Sequence, residues 1–229
     1  MKAKISEIFC SIQGEGLYLG QKQIFIRFAG CNLDCDYCDE AKAKSNDDFS
    51  SQSLGEIVEK IKTFQKKENP EAVSLTGGEP LLQAAFIEKL LPMIRKTGLQ
   101  VHLETNAVLF KEFEKIAEMT DVIAGDIKLP SSTGKDLWNE HKKFLSMAPE
   151  KTFIKIVITS NSKLNEIQKA FDIVNKVSPK MTVFIQPVTE KGEIKKPKKD
   201  FFDSIKKISL NMKMNYKILP QQHPIWGIK

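Results

Sequence analysis

The stretch QIFIRFAGCNLDCDYCDE, residues 23–40, decides the fold and raises the question of function. Its first eight residues are an apolar run closed by glycine, the pattern of a buried strand. Cys31, Cys35 and Cys38 follow directly, three of the four cysteines in the chain. They fall just beyond a strand end, where parallel α/β folds keep their ligands. The fourth, Cys10, lies on a further strand candidate at the N-terminus and reads as a small buried apolar residue.

Working outward, strands and helices alternate. Ser53 and Glu56 open a helix over 53–64 with a capping box, and AVSLT (72–76) is a strand. A helix is expected over 81–96 despite Pro92, a strand over 99–104 and a helix over 109–119. Strand 121–127, a helix near 134–147, strand 152–159, helix 163–177, strand 181–186, helix 200–212 and strand 216–219 complete the series. This alternation predicts an α/β fold with a parallel sheet. About six units are too few for a closed eight-fold barrel, so an open, partial β/α barrel is expected. At 229 residues the chain is read as a single domain, with a cluster loop over 30–50 and a tail over 215–229 that covers the site.

The unusual residues collect on one rim. GGEP (77–80), Thr105 with Asn106, Asp126 with Lys128, Ser160, Gln186, and Gln221 with His223 each follow a strand. Turns alone do not explain such a rim; a pocket does.

Composition narrows the chemistry. With 41% hydrophobic and 28% charged residues, and no apolar run near the ~20 residues of a membrane span, a cytoplasmic protein without membrane contact is expected. In a reducing compartment, clustered cysteines signal metal before disulfide. The net charge of +6 draws much from KGEIKKPKKD (191–200). No aromatic residue is interleaved there, so a solvated loop is expected rather than direct nucleic-acid contact. Thiolates select zinc or iron–sulfur clusters. Structural zinc takes four ligands. Three clustered thiolates suit a [4Fe–4S] cubane with one iron left open, whereas zinc in a tRNA-binding module is the competing reading.

C-x3-C-x2-C after the first strand and GGEP after the second resemble the radical S-adenosylmethionine (SAM) superfamily. FCSIQGEG (9–16), FIRFAGCNLDCDYCD (25–39), SLTGGEP and KILPQQHPIWG (217–227) further resemble the 7-carboxy-7-deazaguanine synthase family of queuosine biosynthesis. That resemblance implies a radical SAM enzyme converting 6-carboxy-5,6,7,8-tetrahydropterin to 7-carboxy-7-deazaguanine with loss of ammonia. It implies Cys31, Cys35 and Cys38 on the cluster, and Tyr37, Cys38, Asp39, Gly78, Glu79, Asp126, Ile127, Lys128, Ser160 and Gln186 around SAM. It places Ile12, Gln13, Gly14, Glu15, Arg27, Thr76 and His223 on the pterin, with Arg27 on its carboxylate. It also implies a homodimer and an electron donor such as flavodoxin or ferredoxin. Glu40 departs from the family pattern, which has a hydroxyl ligand to Mg2+ there. Either Glu40 binds the ion itself or it turns to Lys42 or Lys44. An activating enzyme that installs a glycyl radical on a partner protein shares the cysteine motif and remains the alternative. His102 and His141, with no motif around them, are expected to be structural.

Overall fold

The chain's structure is a computed structural model that describes residues 1–40, 43, 49–190, 193–194 and 199–228. Lys42, Lys44, most of the basic stretch 191–200 and Lys229 lie outside the described residues. In chain order the elements are β1 (Lys2–Ile12), β2 (Lys22–Phe28), β3 (Ser50–Ser53), α1 (Leu54–Glu68), β4 (Ala72–Gly77), α2 (Ala84–Arg95) and β5 (Gln100–Thr105). They continue with α3 (Phe110–Glu114), β6 (Val122–Asp126), α4 (Pro130–Thr133), α5 (Trp138–Leu145), β7 (Thr152–Ile158), α6 (Leu164–Val177) and β8 (Val183–Pro187). The small ribbon β9 (Thr189–Glu190) and β10 (Glu193–Ile194), then α7 (Lys199–Met212), β11 (Tyr216–Ile218) and α8 (His223–Trp226) end the series.

The main sheet runs β11-β8-β7-β6-β5-β4-β2-β1-β3. From β2 to β11 its neighbours pair in parallel, and β1 pairs antiparallel with both β2 and β3. β3 and β11 stand at opposite ends of that order, so the barrel is open, as the strand count predicted. The N-terminal strand candidate is real and runs over Lys2–Ile12. β3 escaped the sequence reading because Ser-Ser-Gln-Ser has no apolar pattern; it is a strand only through its ladder with Lys2–Ile5.

Strand periodicity divides the sheet into two faces. Ile24, Ile26, Val73, Leu75, Val101, Leu103, Ile154, Ile156, Val183 and Ile185 are buried in the core shared with the helices. The alternate residues face the concave side. Low on that side Val122, Phe153 and Phe184 form a second small core, joined by Tyr18 and Leu219. Gly16 is the point of closest approach to this plug: it has φ of 66°, and a Cβ there would meet the Phe153 ring at 2.4 Å.

Helix boundaries follow local chemistry. The Ser53/Glu56 capping box forms as expected and starts α1; such a cap contributes about 1 kcal/mol. α2 runs through Pro92 because Phe86, Ile87, Leu90, Leu91 and Ile94 are all buried, which offsets the lost backbone bond. The single helix expected over 109–119 is instead α3 and a 3-10 turn over Ala117–Met119. The chain tightens there to enter β6, where the Asp121 carboxylate accepts the Val101 N–H at 2.8 Å.

Candidate active site

One large pocket opens on the concave face at the C-terminal strand ends. Pairs of alternate residues line it: Phe25 and Arg27 from β2, Ala124 and Asp126 from β6, Lys155 and Val157 from β7, Gln186 and Val188 at β8. Cys31, Cys35, Tyr37, Cys38, Asp39 and Glu40 form one side of the mouth, and Ile12, Gln13, Gly14, Glu15 and His223 another. The barrel thus gathers seventeen of the twenty residues named in advance, counting Thr76, Gly78 and Lys128 with these. Glu79, Ile127 and Ser160 are not part of its lining.

The GGEP turn is built by backbone proximity. Gly77 has φ of 138°, and a Cβ on it would lie 2.1 Å from the Phe28 carbonyl oxygen. A Cβ on Gly78 would lie 2.3 Å from that of Gly30. Only glycine permits this approach. The gain is a direct clamp: Gly78 N–H donates to Phe28 and Glu79 N–H to Gly30, just before Cys31.

Glu79 turns its carboxylate inward, away from the lining of the pocket. It is fully buried, and its carboxylate accepts Thr105 Oγ1–H at 2.9 Å, Asn106 N–H at 2.8 Å and Leu81 N–H at 3.0 Å. These bonds fasten β4 to the end of β5 and aim Asn106 at the pocket. Burial raises its carboxyl from 4.5 to about 7, against the pull of its hydrogen bonds. A value raised on folding adds most stability below 4.5 and loses it as the pH rises through 7. Glu79→Gln, which offers an N–H2 to groups that already donate, is expected to cost about 1–3 kcal/mol in denaturant titrations. The variant should also lack that decline in stability between acid and neutral pH.

Ile127 points into the main core because it alternates with Asp126 and Lys128. Ser160 lies on the exposed turn beyond β7. His141 is structural, as expected: its Nδ1 meets the Ala107 carbonyl at 3.1 Å, and its Nε2 accepts the Lys128 N–H at 3.2 Å. Burial lowers it to about 4. His102 is likewise lowered to about 4 by burial, between Gln23 and Gln100.

The cysteine loop is held by Asp36 N–H to the Ser132 carbonyl and Cys38 N–H to that of Cys35. Its thiols ring the mouth rather than meet at a point: among the described residues no three His, Cys, Asp or Glu side chains could hold a single ion. A cubane binds thiolates at separate corners, a donor set that Cys31, Cys35 and Cys38, which line the same pocket, can supply. Burial raises the Cys31 thiol and takes that of Cys35 to about 11, so ligation must supply the charge balance. SAM also meets a fitting surface. Asn106 Oδ1 and Asp126 Oδ1 are buried acceptors without a partner, and both residues line the pocket beside the cysteines. Lys128 Nζ lies 5.1 Å from the Tyr37 ring centre and donates to Asp126 Oδ2 at 2.8 Å.

Three lining residues carry roles the motifs did not announce. Glu104 on β5 accepts Gln13 Nε2–H at 2.8 Å, Ser74 Oγ–H at 3.0 Å and Thr76 Oγ1–H at 3.0 Å. Lys155 donates to Glu15 Oε2 at 2.7 Å. Gln221 bridges Glu15 at 2.7 Å and Asp39 at 2.8 Å, at the rim of the pocket. His223 sits so near Gly14 that a Cβ there would lie 2.8 Å from its backbone and ring nitrogens. A charged residue inside an apolar strand was the available signal for Glu104 and Lys155.

Of the environments foreseen for Glu40, the two lysines lie outside the described residues; among the described residues its carboxylate meets Arg27. Its Oε1 lies 2.9 Å from Arg27 Nη2, while Glu7 Oε1 lies 3.1 Å from Arg27 Nε. Arg27 is thus held by two carboxylates, with its guanidinium 5.7 Å from the Phe9 ring centre.

A three-thiolate loop at the mouth of an open parallel barrel, clamped by a double-glycine turn, defines a class. The Radical SAM superfamily model matches residues 25–180, and the chain belongs to that superfamily. It is 34% identical to 7-carboxy-7-deazaguanine synthase of Geobacter sulfurreducens, over 98% of this chain and 97% of that one. The same enzyme of Archaeoglobus fulgidus is 33% identical over the whole of both chains. Within the superfamily, the chain therefore belongs to the family of 7-carboxy-7-deazaguanine synthases. The fold matches the crystal structure of QueE from Escherichia coli at a TM-score of 0.64 and 18% identity, over 95% of this chain and 94% of that one.

Proposed function

We propose that the chain converts 6-carboxy-5,6,7,8-tetrahydropterin to 7-carboxy-7-deazaguanine with loss of ammonia, on the route to queuosine and other deazapurines. The carrying observation is the polarity of the pocket beside the thiolate-rimmed mouth. Arg27, Thr76 and Glu104 stand on the neighbouring strands β2, β4 and β5, and Glu15 lies across the cavity mouth. A pterin with a carboxylate at one end and a guanidine-like edge at the other matches a guanidinium on one side and carboxylates on the other. When bound, the cluster and SAM supply the carbon radical that removes a substrate hydrogen. Cys31, Cys35 and Cys38 hold the cluster; Tyr37, Gly78, Asn106, Asp126 and Gln186 surround SAM. Gln13, Glu15, Thr76 and Glu104 face the ring, and His223 covers it. The reading includes one catalytic domain acting as a cytoplasmic homodimer, with flavodoxin or ferredoxin as electron source. Among the described residues, no helix is long and apolar enough to cross a membrane. Anaerobic incubation with SAM, reductant and the pterin, followed by mass analysis, tests the reaction. Product lacking one ammonia supports it; SAM cleavage without product points to glycyl-radical activation.

Magnesium belongs to this proposal. Glu7 and Glu40 both reach Arg27, and a substrate carboxylate would add a third anion beside them. A hard divalent ion that keeps several waters and takes one or two carboxylates relieves the repulsion. Glu40 would hold it. After chelation, turnover is expected to rise with Mg2+, Glu40→Gln to weaken that dependence and Glu40→Thr to keep it. A flat titration of the unmodified enzyme would retire the ion.

A further inference from the structure

Lys155 interrupts β7 among Phe153, Ile154, Ile156, Val157 and Ile158, where an ammonium loses most of its water. Its side chain is 17% exposed and that of Glu15 15%. Nζ lies 2.7 Å from Glu15 Oε2 and 3.4 Å from Asp126 Oδ2. The two anions are not equally served. Asp126 Oδ2 also has Lys128 at 2.8 Å, whereas Lys155 is the one cation within ion-pair distance of Glu15 among the described residues. The other oxygen of Glu15 accepts from neutral amides, Gln221 at 2.7 Å and Gln186 at 3.3 Å.

We propose that Lys155 is a positioning residue that keeps Glu15 ionised and aimed into the pocket, so that Glu15 accepts N–H groups from the guanidine-like edge of the substrate throughout the neutral pH range. This rests on the reading of Glu15 as a substrate contact. Burial by itself pushes the Glu15 carboxyl up; the charge and hydrogen bond of Lys155, with help from the Gln221 hydrogen bond and His223, outweigh it and hold the group down at about 2. For Lys155 the balance is the mirror image: burial lowers it, and Glu15, then Asp126, raise it well above the ordinary range. The other charged or titratable groups facing the pair are Glu104 from β5, Asp126 from β6, Lys128 beyond β6 and His223 from the tail. Without Lys155, a desolvated carboxyl takes up a proton more readily. It then presents an O–H where the substrate presents N–H groups, and recognition fails.

The test is anaerobic equilibrium dialysis of 6-carboxy-5,6,7,8-tetrahydropterin with SAM present, from about pH 6 to about pH 9, on Lys155→Met, Lys155→Gln, Lys155→Arg, Glu15→Gln and the double variant Lys155→Met/Glu15→Gln. At about pH 6, Kd of Lys155→Met and Lys155→Gln should exceed that of the unmodified protein roughly ten-fold, the effect of one pH unit of displaced titration. The ratio should fall back towards one by about pH 9, as the carboxylate is regained. Lys155→Arg, which keeps the cation, should give a ratio independent of pH. Adding Lys155→Met to Glu15→Gln should bring in no new pH dependence. Two neutral replacements at 155 keep a folding failure of one from deciding the matter. A pH-independent ratio for Lys155→Met and Lys155→Gln, whether near one or uniformly raised, overturns the proposal. If the unmodified protein neither binds nor converts the pterin, it is the underlying functional reading that falls.

Discussion

Alanine at Cys31, Cys35 or Cys38 abolishes reductive cleavage of SAM, and alanine at Cys10 leaves it intact: this is the expected result of removing each thiol in turn. On the proposed reading the three mouth cysteines are the protein's share of the cluster, and a cubane with one iron already open would not tolerate a second missing ligand. Cys10 belongs elsewhere. It pairs with Ile24 across β1 and β2, packs against the main core and lies outside the pocket. Burial raises its thiol, so it is a poor thiolate ligand. After anaerobic reconstitution, the unmodified chain and Cys10→Ala should each carry about four irons and four sulfides and be brown, as one cubane requires. Loss of the cluster on Cys10→Ala would overturn the assignment, and colourless zinc-bearing protein would return the loop to the zinc reading.

Arg27→Ala is expected to cost roughly 2–5 kcal/mol in kcat/KM for the pterin, the range for truncating one partner of a buried charge pair. Arg27→Lys should recover only part, because a point charge cannot serve several carboxylates as a planar fork does. Two causes contribute to the loss and can be separated. One is the missing partner for the substrate carboxylate; the other is the repulsion left between Glu7 and Glu40. Arg27→Ala made in a Glu40→Gln background and compared with Glu40→Gln alone, which carries any loss of Mg2+, is free of the second, so the loss that remains belongs to substrate. Wild-type turnover by Arg27→Ala would mean that the substrate carboxylate binds elsewhere.

The fold was legible because its signals are local. Apolar runs of strand length, each closed by glycine or polar residues, gave β2, β4, β5, β6, β7 and β8 and the rim they share. What the sequence concealed was which side chain meets which. Glu79 lies in a motif, yet its carboxylate closes inward on Thr105 and Asn106, a choice made by the Gly77–Gly78 backbone clamp. Glu40 and Arg27 are thirteen positions apart, and their pairing depends on how the cysteine loop folds back over β2. Lys155 and Glu15 are 140 positions apart, and the curvature of the sheet brings them together. Such pairings are set by tertiary geometry, to which the period of a strand is blind.

The bridge made by Gln221 also imposes a timetable. Its partners Glu15 and Asp39 precede it by 206 and 182 positions. On the ribosome, the QGEG turn and the cysteine loop emerge well before the residue that ties them together. A nascent chain halted after β8 has the strands that line the pocket and all three mouth thiols, yet lacks the Gln221 bridge. The interval between synthesis of Cys38 and Gln221 is therefore a period in which the mouth stands unlatched, and at roughly 5–20 residues per second it lasts on the order of ten seconds or more.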